Sequence, residues 1–402
     1  MKIRIEKGVA RGRITAPASK SVAHRLLICA AMCEGVSTVR GATMSDDILA
    51  TIDCLRSLGV VIEDKDGTLT VKGASLSSAH PKECLPARES GSTLRFLIPA
   101  ALVSGNEVRF TGAKRLMERP HGIYEDICRE RGLLFKRENG EIAVKGRLTS
   151  GDFYLPGDVS SQFISGLLFA LPILEGNSRI ILTTKPESLS YIALTLSAMK
   201  SFGVFAEWVD EVTIKIKGGQ RYVARDMTVE GDWSGAAFMD AFNLLGGEVE
   251  ISGLAEESIQ GDRIYRELYP TLGKSDEAIS LADCPDLGPI LFTLAAAMGG
   301  ARFTDTARLR IKESDRAVVM AEELSKFGAR LTVLDNEVIV HKTDLHAPTE
   351  PLFGHNDHRI VMSLAVLGTL FGVDIEGAEA VKKSYPDFFR ELLKLGINCY
   401  AV

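Results

Sequence analysis

The sequence predicts a two-domain α/β protein assembled from six similar units of mixed helix and strand. Three observations lead there. Apolar segments beginning straight after small, polar residues recur at intervals of roughly 70 residues, the mark of an internal repeat. Helix-like stretches end in Gly just before an apolar strand, the usual left-handed cap. A chain of 402 residues is also too long for one ordinary core, so the six units divide as three plus three.

The helix starts come in this order: Ser19-Lys20-Ser21 before LLICAAMC, Gly91-Ser92-Thr93 before LIPAALVSG, and Ser160-Ser161-Gln162 before FISGLLFALP. Asp232-Trp233-Ser234, Asp286-Leu287-Gly288 and Asn356-Asp357-His358 follow, each ahead of a similar apolar run. These segments are apolar around most of their circumference and so belong inside the protein. A buried helix leaves its first N–H groups unpaired and carries positive potential there, so several such ends in one place would hold an anion.

The second recurring piece is the Gly stop: Leu58-Gly59, Arg131-Gly132, Phe202-Gly203, Leu272-Gly273, Phe327-Gly328 and Leu395-Gly396. Alternating runs follow, with hairpin turns at Asp66-Gly67 and Asn139-Gly140 and a fainter one at Asp335-Asn336. A third piece is a strand ending in a small turn, as at Arg40-Gly41, Thr111-Gly112, Ser252-Gly253, Thr304-Asp305 and Glu376-Gly377. The fourth interval is shorter, and its hairpin is not legible.

A net charge of −6 argues against a generic nucleic-acid binder, and basic clusters in an acidic chain fit a focused pocket. The seven cysteines show no pairing pattern and sit mostly in apolar runs, which points to reduced, buried thiols in a cytoplasmic protein. The opening residues lack an apolar signal core, and no apolar run reaches the length of a membrane span. Walker A and GxSxG motifs are absent, and the seven His are too dispersed to predict a metal site.

Chemistry concentrates at the helix starts. In Arg310-Ile311-Lys312-Glu313-Ser314-Asp315-Arg316 a helical reading puts Lys312 and Arg316 on one face with Glu313 beside them. Asn356-Asp357-His358-Arg359 opens a helix with a standard cap, yet Arg359 in the first turn opposes the helix dipole unless an anion sits there. Lys20 and Arg25 repeat that conflict. Arg119-Pro120 reads as an Arg ahead of a first-turn Pro, while Ser160, Ser161 and Gln162 offer uncharged donors.

Together, SKSVAHR, ESGSTLR, ERP, GDVSSQF, GDWSGAAF, DCPD, LRIKESDR, NDHRIVM and KKSYPDF resemble, in order, the 5-enolpyruvylshikimate-3-phosphate synthase family, from Ser19 to Phe388. The resemblance implies an inverted α/β barrel-like fold, the enolpyruvyl transferase fold, with three repeats per domain. One domain would be 1–18 plus 231–402 and the other 19–230, with the active site in the cleft between them. It implies transfer of the enolpyruvyl group of phosphoenolpyruvate to the 5-hydroxyl of shikimate 3-phosphate, releasing phosphate, by addition and elimination. The expected protein is a cytoplasmic monomer that needs no metal or organic cofactor, engages no nucleic acid or membrane, and is a glyphosate target.

By the same resemblance, Lys20, Gly91, Arg119, Gln162, Arg316, His358, Arg359 and Lys383 would surround phosphoenolpyruvate. Lys20, Ser21, Arg25, Ser160, Ser161, Gln162, Ser188, Tyr191, Asp286 and Lys312 would hold shikimate 3-phosphate. Asp286 and Glu313, with Lys20 as a third participant, would move the protons, and the sequence does not divide the roles among them. Glu89, Ser90 and Ser92 stand where the family often has Asn, Ala and Thr, His24 where it often has Asn, and Arg308 where a neutral residue is common. The sister transferase acting on UDP-N-acetylglucosamine is disfavoured, because its usual Cys is missing from Lys114-Arg115-Leu116-Met117-Glu118. A catalytically silent scaffold is disfavoured by the joint presence of Lys20, Asp286, Glu313, Arg316 and Lys383. An RNA-end-processing enzyme is disfavoured by the acidic balance.

Overall fold

The computed structural model describes residues 1–76, 81, 83–275 and 277–402. The chain divides into two compact units, one formed by Met1–Pro17 with Gly231–Val402 and the other by Ala18–Glu230. It passes between them twice. In the first unit Asp232 N–H donates to the Pro17 carbonyl at 2.7 Å, and in the second Ser19 N–H donates to the Glu230 carbonyl at 2.8 Å.

One structural scheme recurs. Strand Asp152–Leu155 is followed by the buried helix Ser161–Ala170 and by strand Ser178–Leu182, which runs parallel to the first strand with Phe153 opposite Ile180. Helix Leu189–Ser201 then leads to strands Ala206–Trp208 and Thr213–Ile216, the latter pairing antiparallel with both neighbours. Five four-stranded sheets share this order, and a sixth has only the parallel pair Arg11–Thr15 and Glu248–Ser252. That pair belongs to the short fourth interval, where no hairpin is legible in the sequence. The result is a mixed α/β fold of helix–strand repeats, with no closed barrel among the described residues.

The repeat helices are Lys20–Ala31, Gly91–Ala101, Ser161–Ala170, Trp233–Leu244, Gly288–Met298 and His358–Gly368, and most residues in each are buried. Each unit therefore has its own apolar core, with helices packed inside and sheets around them. The six Gly stops all adopt positive φ, from 65° at Gly132 to 94° at Gly59. Five of them make the paired Schellman bonds, as where Val60 N–H reaches the Leu55 carbonyl at 3.1 Å. Asp66-Gly67 and Asn139-Gly140 both take positive φ at two successive positions, the turn that matches strand twist. The hairpin at Asp335-Asn336 closes without left-handed residues.

All seven cysteines are free, and all but Cys84 are buried. Burial pushes the Cys33 and Cys128 thiols up to about 11, which makes them poor nucleophiles. Among the described residues no helix is long and apolar enough to cross a membrane.

Candidate active site

In the first unit, polar residues at the starts of helices Arg316–Ser325 and His358–Gly368 converge on a single carboxylate just ahead of helix Gly288–Met298. Asp286 lies in the turn Pro285–Leu287, immediately before helix Gly288–Met298. Its Oδ1 accepts from Lys312 Nζ at 3.2 Å and Arg316 Nη1 at 2.8 Å, and its Oδ2 accepts from Arg359 Nη2 at 3.1 Å. Arg316, only 1% exposed, also donates to Glu313 Oε2 at 2.9 Å and to Asp357 Oδ2 at 2.8 Å. Burial alone would lower its affinity for a proton, but Asp357, Glu313 and Asp286 together raise it above the usual guanidinium value. Lys312 is pulled below its usual range by burial, which Asp286 opposes and Arg316 and Arg308 reinforce.

Arg359 donates through Nη1 to Ser234 Oγ at 2.6 Å and to the Asp286 carbonyl at 3.0 Å. Its backbone N–H goes to Asp357 Oδ1 at 3.0 Å, so Asp357 serves both as helix cap and as partner of Arg316. Lys383 donates to the carbonyl of Asn356, which like His355 holds a left-handed conformation. His358 is buried with its Nδ1 3.9 Å from Asp357 Oδ1, too far for a hydrogen bond.

One expectation is corrected here. Lys312 and Arg316 do not share a helical face. Asp315 caps the helix by accepting from Val318 N–H at 3.3 Å, so the helix runs Arg316–Ser325 and Lys312 stays extended at φ −80° and ψ −163°. The two cations meet at Asp286 Oδ1.

In the second unit, Lys20 begins its helix and reaches Asp47 Oδ2 at 2.8 Å. Arg25 is buried and spends three N–H groups inside the protein, on Thr195 Oγ1 at 2.8 Å and on the carbonyls of Ser21 and Tyr191 at 2.8 and 2.9 Å. Its guanidinium stands over the Phe96 and Tyr191 rings, and burial pulls it down to about 10. Ser160 caps its helix by accepting from Gln162 N–H at 3.3 Å, with Ser161 as the first helical residue. Ser188, buried and left-handed at φ 55°, precedes the helix that carries Tyr191. Gly91, Arg119 and Gln162 converge: a Cβ on Gly91 would stand 2.7 Å from Arg119 Nη1 and 3.5 Å from Gln162 Oε1. Pro120 is not a first-turn residue. It lies between helices Lys114–Glu118 and Gly122–Glu130, and Arg119 ends the first.

The sequence profile of the family described as EPSP synthase (3-phosphoshikimate 1-carboxyvinyltransferase) matches residues 6–392. A 3-phosphoshikimate 1-carboxyvinyltransferase from Clostridium kluyveri is 41% identical, over 96% of this chain and 95% of its own. The enzyme of that name from Clostridium novyi is 39% identical, over 98% and 97%. The chain belongs to the EPSP synthase family. It is a 3-phosphoshikimate 1-carboxyvinyltransferase and performs the enolpyruvyl transfer step of the shikimate pathway to chorismate. The EPSP synthase structure from Acinetobacter baumannii superposes with TM-score 0.79 at 25% identity, covering 99% of both chains. The enolpyruvyl transferase NikO from Streptomyces tendae, at 16% identity and TM-score 0.79 over 99% of this chain and 98% of its own, shares the fold.

The departures from the common EPSP synthase pattern have local partners. Ser90 caps its helix by accepting from Thr93 N–H at 3.2 Å, and Ser92 accepts from Gln162 Nε2 at 3.0 Å. His24 bonds Thr51 at 2.7 Å, and burial, then Lys20 and Arg25, hold its imidazole well below the usual range. Arg308 is buried and reaches the Ala282 carbonyl at 3.4 Å. Sequence reasoning missed Asp47, Ser234 and the second role of Asp357, because a carboxylate or hydroxyl at a helix start already has a sufficient explanation as a cap. Glu322, Glu323 and His355 are spaced as metal ligands could be, but the Glu323 carboxylate already accepts from Lys326, Phe353 N–H and His355. That group clamps the loop ahead of Asn356.

Proposed function

We propose that the chain joins phosphoenolpyruvate to the 5-hydroxyl of shikimate 3-phosphate. The observation that carries this reading is Asp286, a carboxylate fixed from three sides by Lys312, Arg316 and Arg359. A base so held can take the hydroxyl proton in a defined direction. Glu313, beside Arg316, enters this step protonated and gives that proton to the methylene carbon as the hydroxyl oxygen bonds the neighbouring carbon, and its carboxylate is then free to take a proton back. Elimination removes a proton from the new methyl group and expels phosphate, restoring the enol ether. Lys20 is a third participant at the donor.

Arg119, Arg316, Arg359, His358 and Lys383 are read as the phosphoenolpyruvate set, with Gln162, and Gly91 allows close approach. Ser160, Ser161 and Ser188 are read as the phosphate site of shikimate 3-phosphate, Ser21 and Arg25 as its carboxylate site, and Gln162 and Tyr191 as its ring contacts. Charge-assisted bonds from Arg and Lys suit substrates that each carry a phosphate and a carboxylate. The buried thiols support a cytoplasmic setting, and we read the protein as a monomer. Phosphate release from phosphoenolpyruvate with shikimate 3-phosphate, and none with UDP-N-acetylglucosamine, is the expected result. The reverse preference would refute the reading.

A further inference from the structure

We propose that His355 is a positioning residue for this reaction: anchored on Glu323, it holds the turn whose Asn356 carbonyl aims the Lys383 ammonium. The turn is Gly354–Asp357, closed where Asp357 N–H donates to the Gly354 carbonyl at 2.8 Å. Both central residues are left-handed, His355 at φ 48° and Asn356 at φ 51°. A residue with a Cβ meets a steric cost there. A turn of this kind without Gly at its centre persists where its surroundings over-determine it.

The surroundings here are built on one buried carboxylate. Glu323 lies in the last turn of helix Arg316–Ser325 and is 1% exposed. Its Oε1 accepts from His355 Nε2 at 2.9 Å and its Oε2 from Phe353 N–H at 2.9 Å, while Lys326 Nζ reaches both oxygens at 3.0 Å. A carboxylate collecting these donors accepts from all of them, so Nε2 carries the ring proton. Lys326 also donates to the Pro351 carbonyl at 3.2 Å, and the Phe353 and His355 rings meet edge to face at 4.8 Å. Further on, Asp357 Oδ2 accepts from Nε of Arg316, the first residue of the same helix, at 2.8 Å. One helix thus grips the turn at its entry through Glu323 and at its exit through Arg316. Between the two grips lies Asn356, whose carbonyl accepts from Lys383.

Lys383 ends the short turn Ala378–Lys383 and is 6% exposed, so the position of that carbonyl decides where its ammonium points. A slack turn at His355 would move the carbonyl, and with it the charge offered to the donor substrate. The inference rests on the proposed role of Lys383 at phosphoenolpyruvate.

The test is phosphate release with each substrate varied in turn, and melting curves alongside. The proteins are wild type, His355→Ala, His355→Gln, Glu323→Gln, Lys383→Ala and the double variant His355→Ala with Lys383→Ala. His355→Ala should raise KM for phosphoenolpyruvate by about tenfold and leave that for shikimate 3-phosphate within about twofold, since misplacing a group from a distance costs up to about a hundredfold. His355→Gln keeps an N–H at similar reach and should recover most of the loss. Glu323→Gln turns an amide nitrogen towards one of the two loop donors, so it should move the same KM by less. It is the milder variant to read if His355→Ala does not fold. In the Lys383→Ala background, His355→Ala should change KM for phosphoenolpyruvate by less than about twofold. A merely structural role would lower Tm and the amount of active enzyme without moving one KM against the other. A level KM for phosphoenolpyruvate in His355→Ala, a rise shared equally by both substrates, no recovery in His355→Gln, or the same factor in both backgrounds overturns the inference. If Lys383→Ala itself leaves KM for phosphoenolpyruvate unchanged, it is the placement of Lys383 at the donor that fails.

Discussion

Gly91→Ala isolates one contact. Gly91 is the first residue of its helix and does not have a positive φ, so the backbone accepts Ala. The added methyl carbon would stand 2.7 Å from Arg119 Nη1, 3.5 Å from Gln162 Oε1 and 3.8 Å from Leu116 Cδ1. An ordinary carbon–nitrogen contact is about 3.5 Å, so the guanidinium must retreat by roughly 0.8 Å. It can, as the tip of a flexible side chain, but Arg119 is 6% exposed and has little room to regain its alignment. One charge-assisted hydrogen bond to the donor's phosphate or carboxylate is worth about 1.5 to 3 kcal/mol. Its loss raises KM for phosphoenolpyruvate by roughly tenfold to a hundredfold. The fold should hold, because Ala is a better helix former than Gly. Glyphosate is longer than phosphoenolpyruvate, so it should lose more than the substrate does. The assay is KM for phosphoenolpyruvate and the inhibition constant for glyphosate in both proteins, with melting curves alongside. A KM within about twofold of wild type would refute the placement of Arg119 at the donor. Equal losses for substrate and inhibitor would refute the argument from length.

Three further outcomes follow from the same geometry. Asp286→Ala should lower kcat by about 10² to 10⁴-fold, the usual contribution of a general base, and change KM for phosphoenolpyruvate far less. Steady-state kinetics checks it, and near-normal turnover would remove Asp286 from the chemistry. Asp357→Ala leaves the buried Arg316 short of one of its two nearest carboxylates and removes the helix cap, so stability should fall by about 3 kcal/mol, read from denaturant melts. Glu323 is opposed by burial but held below the usual carboxylate range by His355, Phe353 N–H and Lys326. A depressed carboxylate gives stability that is present at neutral pH and is lost as pH falls through its folded value. Glu323→Gln should therefore be less stable than wild type by about 2 kcal/mol near pH 7, and the gap should close only as pH falls below the usual carboxylate range, as melting curves across an acid series would show.

Much of the fold is legible in the sequence because its signals are local. A Ser or Asp cap, an apolar helix and a Gly stop occupy consecutive positions, and Asp66-Gly67 and Asn139-Gly140 fix their hairpins within two residues. The strands that complete the sheets are another matter. Asp226–Thr228 pairs with Val36–Arg40, Arg11–Thr15 with Glu248–Ser252, and Lys2–Ile5 with both Val373–Glu376 and Cys399–Ala401. Pairings at such separations depend on where the chain crosses between units, and no neighbouring residue encodes them. The site divides in the same way. Asp286, Lys312, Glu313, Arg316 and Arg359 come together in the structure, but Asp286 as their meeting point is a product of tertiary packing.

The caps themselves differ between the two units in a way that bears on function. In the second unit the three repeat helices are preceded by Ser19, Ser90 and Ser160, and none has an acidic residue in its first turn. Their positive ends keep most of their potential, because the hydroxyls of Ser90 and Ser160 satisfy an N–H without cancelling charge and Ser19 makes no side-chain cap bond. In the first unit Asp232 and Asp357 cap their helices, and Asp286 lies in the turn just ahead of the third, whose cap position is Leu287. A carboxylate there neutralises the helix end, and it also explains how Arg359 and Arg316 sit in first turns without an external anion. A basic residue at a helix start is therefore an argument for a ligand where the cap is Ser, and a weaker one where the cap is Asp. The Ser-capped ends suit the phosphate of shikimate 3-phosphate. The Asp-bearing ends set carboxylates among cations, which is what moving protons between a hydroxyl and a carbon requires.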